Sequence, residues 1–120
     1  MTIRQAIDKA DALRPNGIDR PTKVLWLRVL DGQLRREVVA LHEGEAEGGA
    51  DLAHNEEQPL LAAQPDSMLY LYWLMAQIDL AEGEVVRYTN SMQLYNTALA
   101  GFAAWYKACH KPLPRGQFRL

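Results

Sequence analysis

Few of the side chains that commonly carry chemistry occur in this sequence. It contains three histidines, His42, His54 and His110, and one cysteine, Cys109. His42 and His54 lie in the same acidic segment, but their spacing matches no known pattern of metal ligands. We therefore interpret both as solvated loop residues and predict no metal site.

A nucleophilic pair of Cys109 and His110 is not expected. The two residues are adjacent, and adjacent residues on a helix do not face each other. Cys109 is instead predicted to end an apolar helical seam. A lone cysteine also excludes an intrachain disulfide. Because the sequence shows no signal-peptide pattern, we expect a reducing cytoplasm as the default compartment.

Three carboxylates cluster near a predicted turn. Asp79 and Glu82 share a helical face and Glu84 follows, an arrangement that could support acid–base chemistry. We interpret them as solvated turn charges, or as partners for Arg87 three residues after Glu84. Because phosphate-binding glycine loops and nucleophile elbows are also missing, we predict no enzymatic activity and no cofactor.

Charge is unevenly distributed along the 120 residues, which have a net charge of −2. Residues 1–41 carry a balance of +3, residues 42–66 a balance of −7, and residues 67–120 a balance of +2. The Gly-rich acidic segment has no apolar periodicity, so 42–58 is predicted to be a mobile loop within one domain, 1–120. No apolar run is long enough to cross a membrane.

Helical periodicity predicts an all-α fold, a small bundle of about four helices with a long last helix. The first helix covers Thr2 to about Leu13, with a capping box at Thr2 and Gln5. The second begins near Pro21 and continues to about Leu41. Its Gly32 is interpreted as a possible close approach of another backbone.

A segment bounded by Pro59 and Pro65 is predicted to cross the helices, anchored by Leu60 and Leu61, with a short edge strand as one possibility. The third helix is predicted from a cap at Asp66 to about Ala81, with an apolar arc wide enough for more than one neighbour.

The last helix is predicted from about Glu84 to Cys109, because apolar residues recur there at spacings of three and four. The seam comprises Val85, Tyr88, Met92, Tyr95, Leu99, Phe102, Tyr106 and Cys109. The apolar pattern stays in phase across Gly83, so the sequence allows either one long bent helix or an antiparallel hairpin. We favour the hairpin, because the single helix would be longer than the diameter of a compact domain of this size. Residues 111–120 are predicted to be an extended tail.

Several side chains are candidates for contacts with other proteins. The second helix has a basic character from Lys23, Arg28, Arg35 and Arg36, which we interpret mainly as a solvated face. Tyr70, Trp73 and Trp105 lie off the main stripes, and we expect some of these rings to remain exposed, where aromatics favour protein interfaces. The candidate subunit or partner contacts are Arg28, Arg35, Arg36, Tyr70, Trp73, Trp105 and Phe118.

Several stretches along the chain form a recognisable pattern. One runs from Met68 to Met92 and continues through Tyr95-Asn96 and Trp105-Tyr106 to His110-Lys-Pro112. Another is the opening from Ala6 to Asn16, followed by Trp26-Leu27 and Leu30-Asp31-Gly32-Gln33. In these stretches nearly the whole chain resembles the head–tail connector, or adaptor, proteins of tailed phages and prophages. The resemblance is a pattern of helices and aromatics without a catalytic signature.

The resemblance implies a structural protein that forms a homo-oligomeric ring beneath the portal at the capsid vertex. Such a ring extends the DNA channel, with DNA only as passing cargo, and offers a docking surface to tail or head-completion proteins. The implied location is the virion, and the bacterial cytoplasm during assembly. The alternatives are a helical interaction or regulatory module without a virion role and, less favoured, a small enzyme at Asp79, Glu82 or Glu84.

The predicted tail, with Phe118, is expected to dock on a neighbouring subunit or on the portal. Deletion of residues 111–120 should therefore weaken assembly or portal binding in a co-sedimentation assay. Unchanged assembly and unchanged portal binding in the truncated chain would contradict this role.

Overall fold

The computed structural model describes residues 1–37, 56–57, 59–63 and 65–109. Within these ranges it contains four helices: α1 (Ile3–Leu13), α2 (Arg20–Glu37), α3 (Met68–Ala81) and α4 (Val85–Cys109). The predicted all-α bundle with a long C-terminal helix is confirmed. Apart from Glu56 and Glu57, the acidic segment 42–58 lies outside the described residues, as do the predicted end of α2 near Leu41 and the tail 111–120.

The capping box of α1 is confirmed. The Gln5 backbone N–H donates to Thr2 Oγ1 at 3.2 Å, and the Thr2 N–H donates to Gln5 Oε1 at 3.0 Å. Ile3, Ala6, Ile7 and Ala10 bury one face of α1. Leu13, predicted on that face, is exposed because the helix ends there, beyond the core.

The segment before α3 is anchored on α1 and the core. Pro59 forms an antiparallel bridge with Thr2, and the Leu60 N–H donates to the Met1 carbonyl at 2.9 Å. Leu60 is buried and Leu61 is half-buried, as the anchor prediction required. In place of the possible edge strand there is this single bridge.

Helix α3 is the central helix of the bundle, since it packs on α1, α2 and α4. Its apolar arc is as wide as predicted, because eight of its residues are buried: Leu69, Tyr70, Leu71, Leu74, Met75, Ala76, Ile78 and Asp79. The predicted cap is wrong by one residue, since Ser67 rather than Asp66 occupies the N-cap position and its side chain makes no capping hydrogen bond.

An antiparallel hairpin joins α3 and α4, as favoured from the sequence, and the single bent helix is excluded. Gly83 sits in the turn with a φ of 76°, in the left-handed region that glycine enters without a steric penalty. The Glu84 N–H closes the turn by donating to the Asp79 carbonyl at 2.9 Å. The chain therefore reverses at this glycine.

The apolar seam of α4 is correct in its centre and wrong at its ends. Tyr95, Phe102 and Tyr106 are buried, whereas Val85 and Cys109 are exposed. Cys109 is exposed because the 25-residue α4 extends beyond the 14-residue α3, on which it mainly packs. Val85 lies in the first turn of α4, directly after the hairpin turn, and its side chain is 65% exposed.

Gly32 does not mark a close approach within the chain. A methyl group added at Gly32 would meet no described atom within 4 Å, and the residue is exposed in the middle of α2. The sequence-based interpretation of a nearby backbone is therefore wrong for the isolated chain.

Two glycine substitutions should change stability in opposite directions. We expect Gly83→Ala to lower the free energy of unfolding by about 1–2 kcal/mol, because alanine is strained at positive φ. Gly32→Ala should raise it by about 0.5–1 kcal/mol, because the site is helical and open. Urea denaturation followed by circular dichroism measures both, and a stabilising Gly83→Ala would contradict the turn geometry.

Candidate interaction surface

A buried carboxylate on α2 organises one side of the bundle. Asp31 is fully buried, and its Oδ1 accepts hydrogen bonds from the Tyr70 hydroxyl at 2.8 Å and from the Leu61 N–H at 3.1 Å. Its Oδ2 accepts from Arg35 Nε at 3.3 Å. The Tyr70 hydroxyl in turn accepts from the Ala62 N–H at 2.8 Å. One carboxylate therefore joins α2, the crossing segment and α3.

A second buried carboxylate joins α1, α3 and α4. Asp79 is fully buried, with Oδ1 accepting from Arg14 Nε at 3.0 Å and Oδ2 accepting from the Ser91 hydroxyl at 3.1 Å. Losing one partner of such a buried ion pair is destabilising, because it leaves the other charge unpaired and desolvated. The prediction that Asp79 is a solvated turn charge is wrong.

The basic N-terminal part of the chain is largely neutralised by ion pairs. Lys23 is buried, and its Nζ lies 2.8 Å from an Asp11 oxygen. Arg20 lies 2.8 Å from Glu56 and 3.1 Å from Asp8, while Arg4 lies 2.6 Å from Glu57. The two described acidic-segment residues thus pair with the basic part.

These pairs shift pKa values in the directions expected from local charge. Burial acts to raise the pKa of Asp11, but hydrogen bonds from Lys23 and Asn16 outweigh it and hold that pKa below its ordinary value. The hydrogen bond to Glu56 raises the pKa of Arg20. Part of the basic charge of α2 is therefore paired with carboxylates of the same chain.

The predicted basic contact residues of α2 separate into three environments. Arg28 is half-buried, Arg35 bonds to Asp31, and Arg36 is exposed near the helix end. The predicted solvated basic face is wrong for Lys23 and Arg35, which pair with carboxylates inside the fold. Of the three arginines predicted as contact residues, Arg36 is therefore the most exposed.

The aromatic residues predicted as contacts also lie in different environments. Tyr70 is buried and belongs to the Asp31 network, so the expectation that it reaches the surface is wrong. Trp73 is half-buried and packs edge-on against Trp26, with ring centroids 6.5 Å apart. Trp105 is exposed and stacks on Phe102 at 6.3 Å. Phe118 lies outside the described residues.

The described residues contain no group of three His, Cys, Asp or Glu side chains arranged to hold a metal ion. Asp79 faces Arg14 and Ser91, while Glu82 and Glu84 are exposed, so the three carboxylates do not form one site. All three histidines lie outside the described ranges.

Exposed apolar side chains concentrate on the outward surfaces of α2 and α4. On α2, Leu25 and Val29 are exposed four residues apart, opposite the buried stripe. We call this surface, Leu25, Val29, Gly32 and Arg36, the α2 face. On α4, Leu94, Gly101 and Trp105 are exposed at spacings of seven and four. We call these three residues the α4 face.

The outer side of α4 is unusually poor in charge. No acidic or basic residue occurs between Tyr88 and Tyr106, and the outward positions there are Thr, Asn, Gln, Ala, Gly, Leu and Trp. Surface helices normally present charged residues to water on the side opposite their apolar stripe. The lack of charged residues is a feature that this surface shares with the cores of protein interfaces.

No helix among the described residues combines the length and apolarity needed to span a bilayer. No protein-family model matches the sequence, and comparisons with curated proteins and with solved structures give no significant match.

Asp31 and Asp79 are the structural residues that sequence reasoning missed. Each occurs in phase with a buried apolar stripe, Asp31 with Leu27 and Leu34, and Asp79 with Met75. A carboxylate buried at a core position must have hydrogen-bonding or charged partners. Its helical phase with the buried apolar residues is the sequence signal that would have identified each aspartate as buried.

The Tyr70 hydroxyl should make folding sensitive to alkaline pH. Burial, and then the Asp31 charge, raise the pKa of Tyr70 far above its ordinary value of 10.0. The stability from the neutral phenol is complete below the unfolded pKa and falls as pH rises, by about 1.4 kcal/mol per pH unit above pH ~10. Tyr70→Phe should remove this contribution, besides costing about 1–3 kcal/mol at neutral pH through the unpaired Asp31 and Ala62 groups.

Urea denaturation at about pH 8 and about pH 11 measures the difference in slope. The half-buried Tyr72→Phe makes the same substitution on the same helix and is the matched control. Buried Tyr95 and Tyr106, whose pKa values burial also raises, contribute equally to all three proteins. Equal slopes in wild type and Tyr70→Phe would contradict the account.

Proposed function

We propose that this chain is a structural subunit of a tailed-phage head–tail connector, forming a ring below the portal that extends the DNA channel and provides the tail-docking surface. The observation that carries the proposal is the uncharged outer side of α4. A helix supported mainly by one neighbour, with such a surface on its other side, is suited to a subunit whose burial is completed by other chains.

A second line of support is the presence of two different outward apolar surfaces. Closed rings other than dimers need heterologous contacts, in which one face of a subunit binds a different face of the next. The α2 face and the α4 face lie on different helices, and each of these helices packs on α3. A chain with two such faces can continue an assembly in both directions.

The partners under this proposal are further copies of the chain, the portal protein, and tail or head-completion proteins. DNA passes through the channel as cargo, and the near-neutral net charge of −2 fits a channel wall that does not hold DNA tightly. The proposed location is the virion, and the bacterial cytoplasm during assembly.

A second candidate is a helical interaction module without a virion role. The same α4 face favours it, since one partner helix would cover the surface equally well. The two functions differ in the number of chains that assemble.

The decisive experiment mixes the full chain with a portal protein from the same genome, the partner that the proposal requires, and examines the complex by electron cryomicroscopy. We expect a ring of this chain bound beneath the portal, with several copies contacting one another. If the chain does not bind that portal and sediments as a monomer or dimer at every concentration tested, the connector proposal is wrong and the module is favoured.

A further inference from the structure

We infer that Asn16–Gly17, in the loop between α1 and α2, is a deamidation site that the folded loop keeps from reacting. Asparagine followed by glycine deamidates readily, because glycine has no side chain to obstruct attack by its own backbone nitrogen. Gly17 is exposed, and no described atom lies within 4 Å of the position that a Cβ would take. The site lies outside the α2 face and the α4 face, so the inference does not rest on the proposed function.

The reaction needs only water as a co-reactant. The backbone nitrogen of Gly17 loses its proton and attacks Cγ of Asn16, which forms a new C–N bond and closes a succinimide ring. The bond between Cγ and Nδ2 then breaks, and Nδ2 takes up a proton and leaves as ammonia. Water opens the ring at either carbonyl and gives aspartate or isoaspartate in place of the asparagine. No oxidant or reductant takes part.

Four hydrogen bonds hold the side-chain amide of Asn16 in the native loop. Its Nδ2 donates to Asp11 Oδ1 at 3.0 Å and to the Arg14 carbonyl at 2.8 Å. Its Oδ1 accepts from the Ile18 N–H at 3.0 Å and from Lys23 Nζ at 3.2 Å. An amide has two N–H donors and two acceptor lone pairs, so these bonds use its whole hydrogen-bonding capacity. A reversed amide would place donors against donors and acceptors against acceptors.

Cyclisation disrupts this arrangement at both ends of the amide. As the Gly17 nitrogen attacks, Cγ changes from planar to tetrahedral and Nδ2 departs, so the two hydrogen bonds that Nδ2 donates are lost. The Ile18 N–H bond closes a turn over Asn16 and restricts the backbone rotation that brings the Gly17 nitrogen to Cγ. Lys23 is buried, and its Nζ also lies 2.8 Å from Asp11, so the ion pair that contacts the amide joins α1 to α2. The folded loop therefore raises the barrier to deamidation.

Deamidation should also prevent the loop from closing again. An aspartate in place of Asn16 has no N–H, so its oxygen would face the Asp11 carboxylate and the Arg14 carbonyl without a donor between them. Isoaspartate adds a carbon atom to the backbone and displaces the Ile18 N–H as well. The variant Asn16→Asp reproduces the first product and should have a lower thermal midpoint than the wild type. An unchanged midpoint would overturn this step.

The first test measures deamidation of the full wild-type chain by peptide mass spectrometry. The rate at Asn16 is compared in native buffer and in urea that unfolds the chain, at one pH and temperature. We expect the native rate to be about tenfold lower or less. The control is Gly17→Ala, which the loop accommodates because the φ of Gly17 lies outside the left-handed region, and which should react slowly in both conditions. An equal or higher rate in the folded wild type, or a rate in urea no faster than that of Gly17→Ala, would overturn the inference.

The substitution Lys23→Met tests the restraint on the amide. It removes one donor to Oδ1, and we expect Asn16 to react about tenfold faster in native buffer. Lys9→Met makes the same substitution at an exposed lysine of α1 and should keep the wild-type rate. Loss of Lys23 also leaves Asp11 without its cation, so each rate is compared with the unfolded fraction obtained from urea denaturation.

A Lys23→Met rate that exceeds the value set by its unfolded fraction supports local restraint by the hydrogen bonds. A rate that the unfolded fraction fully explains would overturn that restraint. A rate below that of the wild type would also overturn it, because the ammonium would then promote the attack by stabilising negative charge on Oδ1.

Discussion

The dependence of α4 on one main neighbouring helix is the constraint from which the rest of the structure follows. The fourteen residues of α3 cannot cover a helix of 25 residues, and α1 and α2 pack mainly on α3 and on each other. Much of α4 therefore remains outside the core. In an ordinary monomer that surface would carry charge, and here it carries none between Tyr88 and Tyr106. This is the surface on which we propose that other chains bind.

Two buried carboxylates link the helices to one another. Asp31 holds α2 and the crossing segment on α3, while Asp79 holds the end of α1 and the second turn of α4 on the same helix. Each carboxylate is satisfied by several donors, so neither leaves an unpaired buried charge. The proposed ring needs such links, because every contact in a closed ring repeats the same rotation between copies of the subunit.

Much of the fold is readable from the sequence because it depends on local signals. The capping box at Thr2, the wide arc of α3 and the reversal at Gly83 are all properties of short segments. The errors concern residues whose environment depends on distant chain segments. Tyr70 is off the leucine stripe, yet it is buried because Asp31, 39 residues away, accepts its hydroxyl. The α4 face was only partly predicted. Trp105 was identified as an exposed contact residue, whereas the exposure of Leu94 and Gly101 depends on which side of α4 packs on α3.

The most direct test of the central claim places one charge on the outer side of α4 and measures self-association of the full chain by sedimentation velocity over a concentration series. Leu94→Lys should weaken self-association by about tenfold or more. Leu80→Lys introduces the same charge on α3 at a leucine of similar exposure, 51% against 48%, and should leave self-association unchanged. Equal association of wild type and Leu94→Lys would contradict the account.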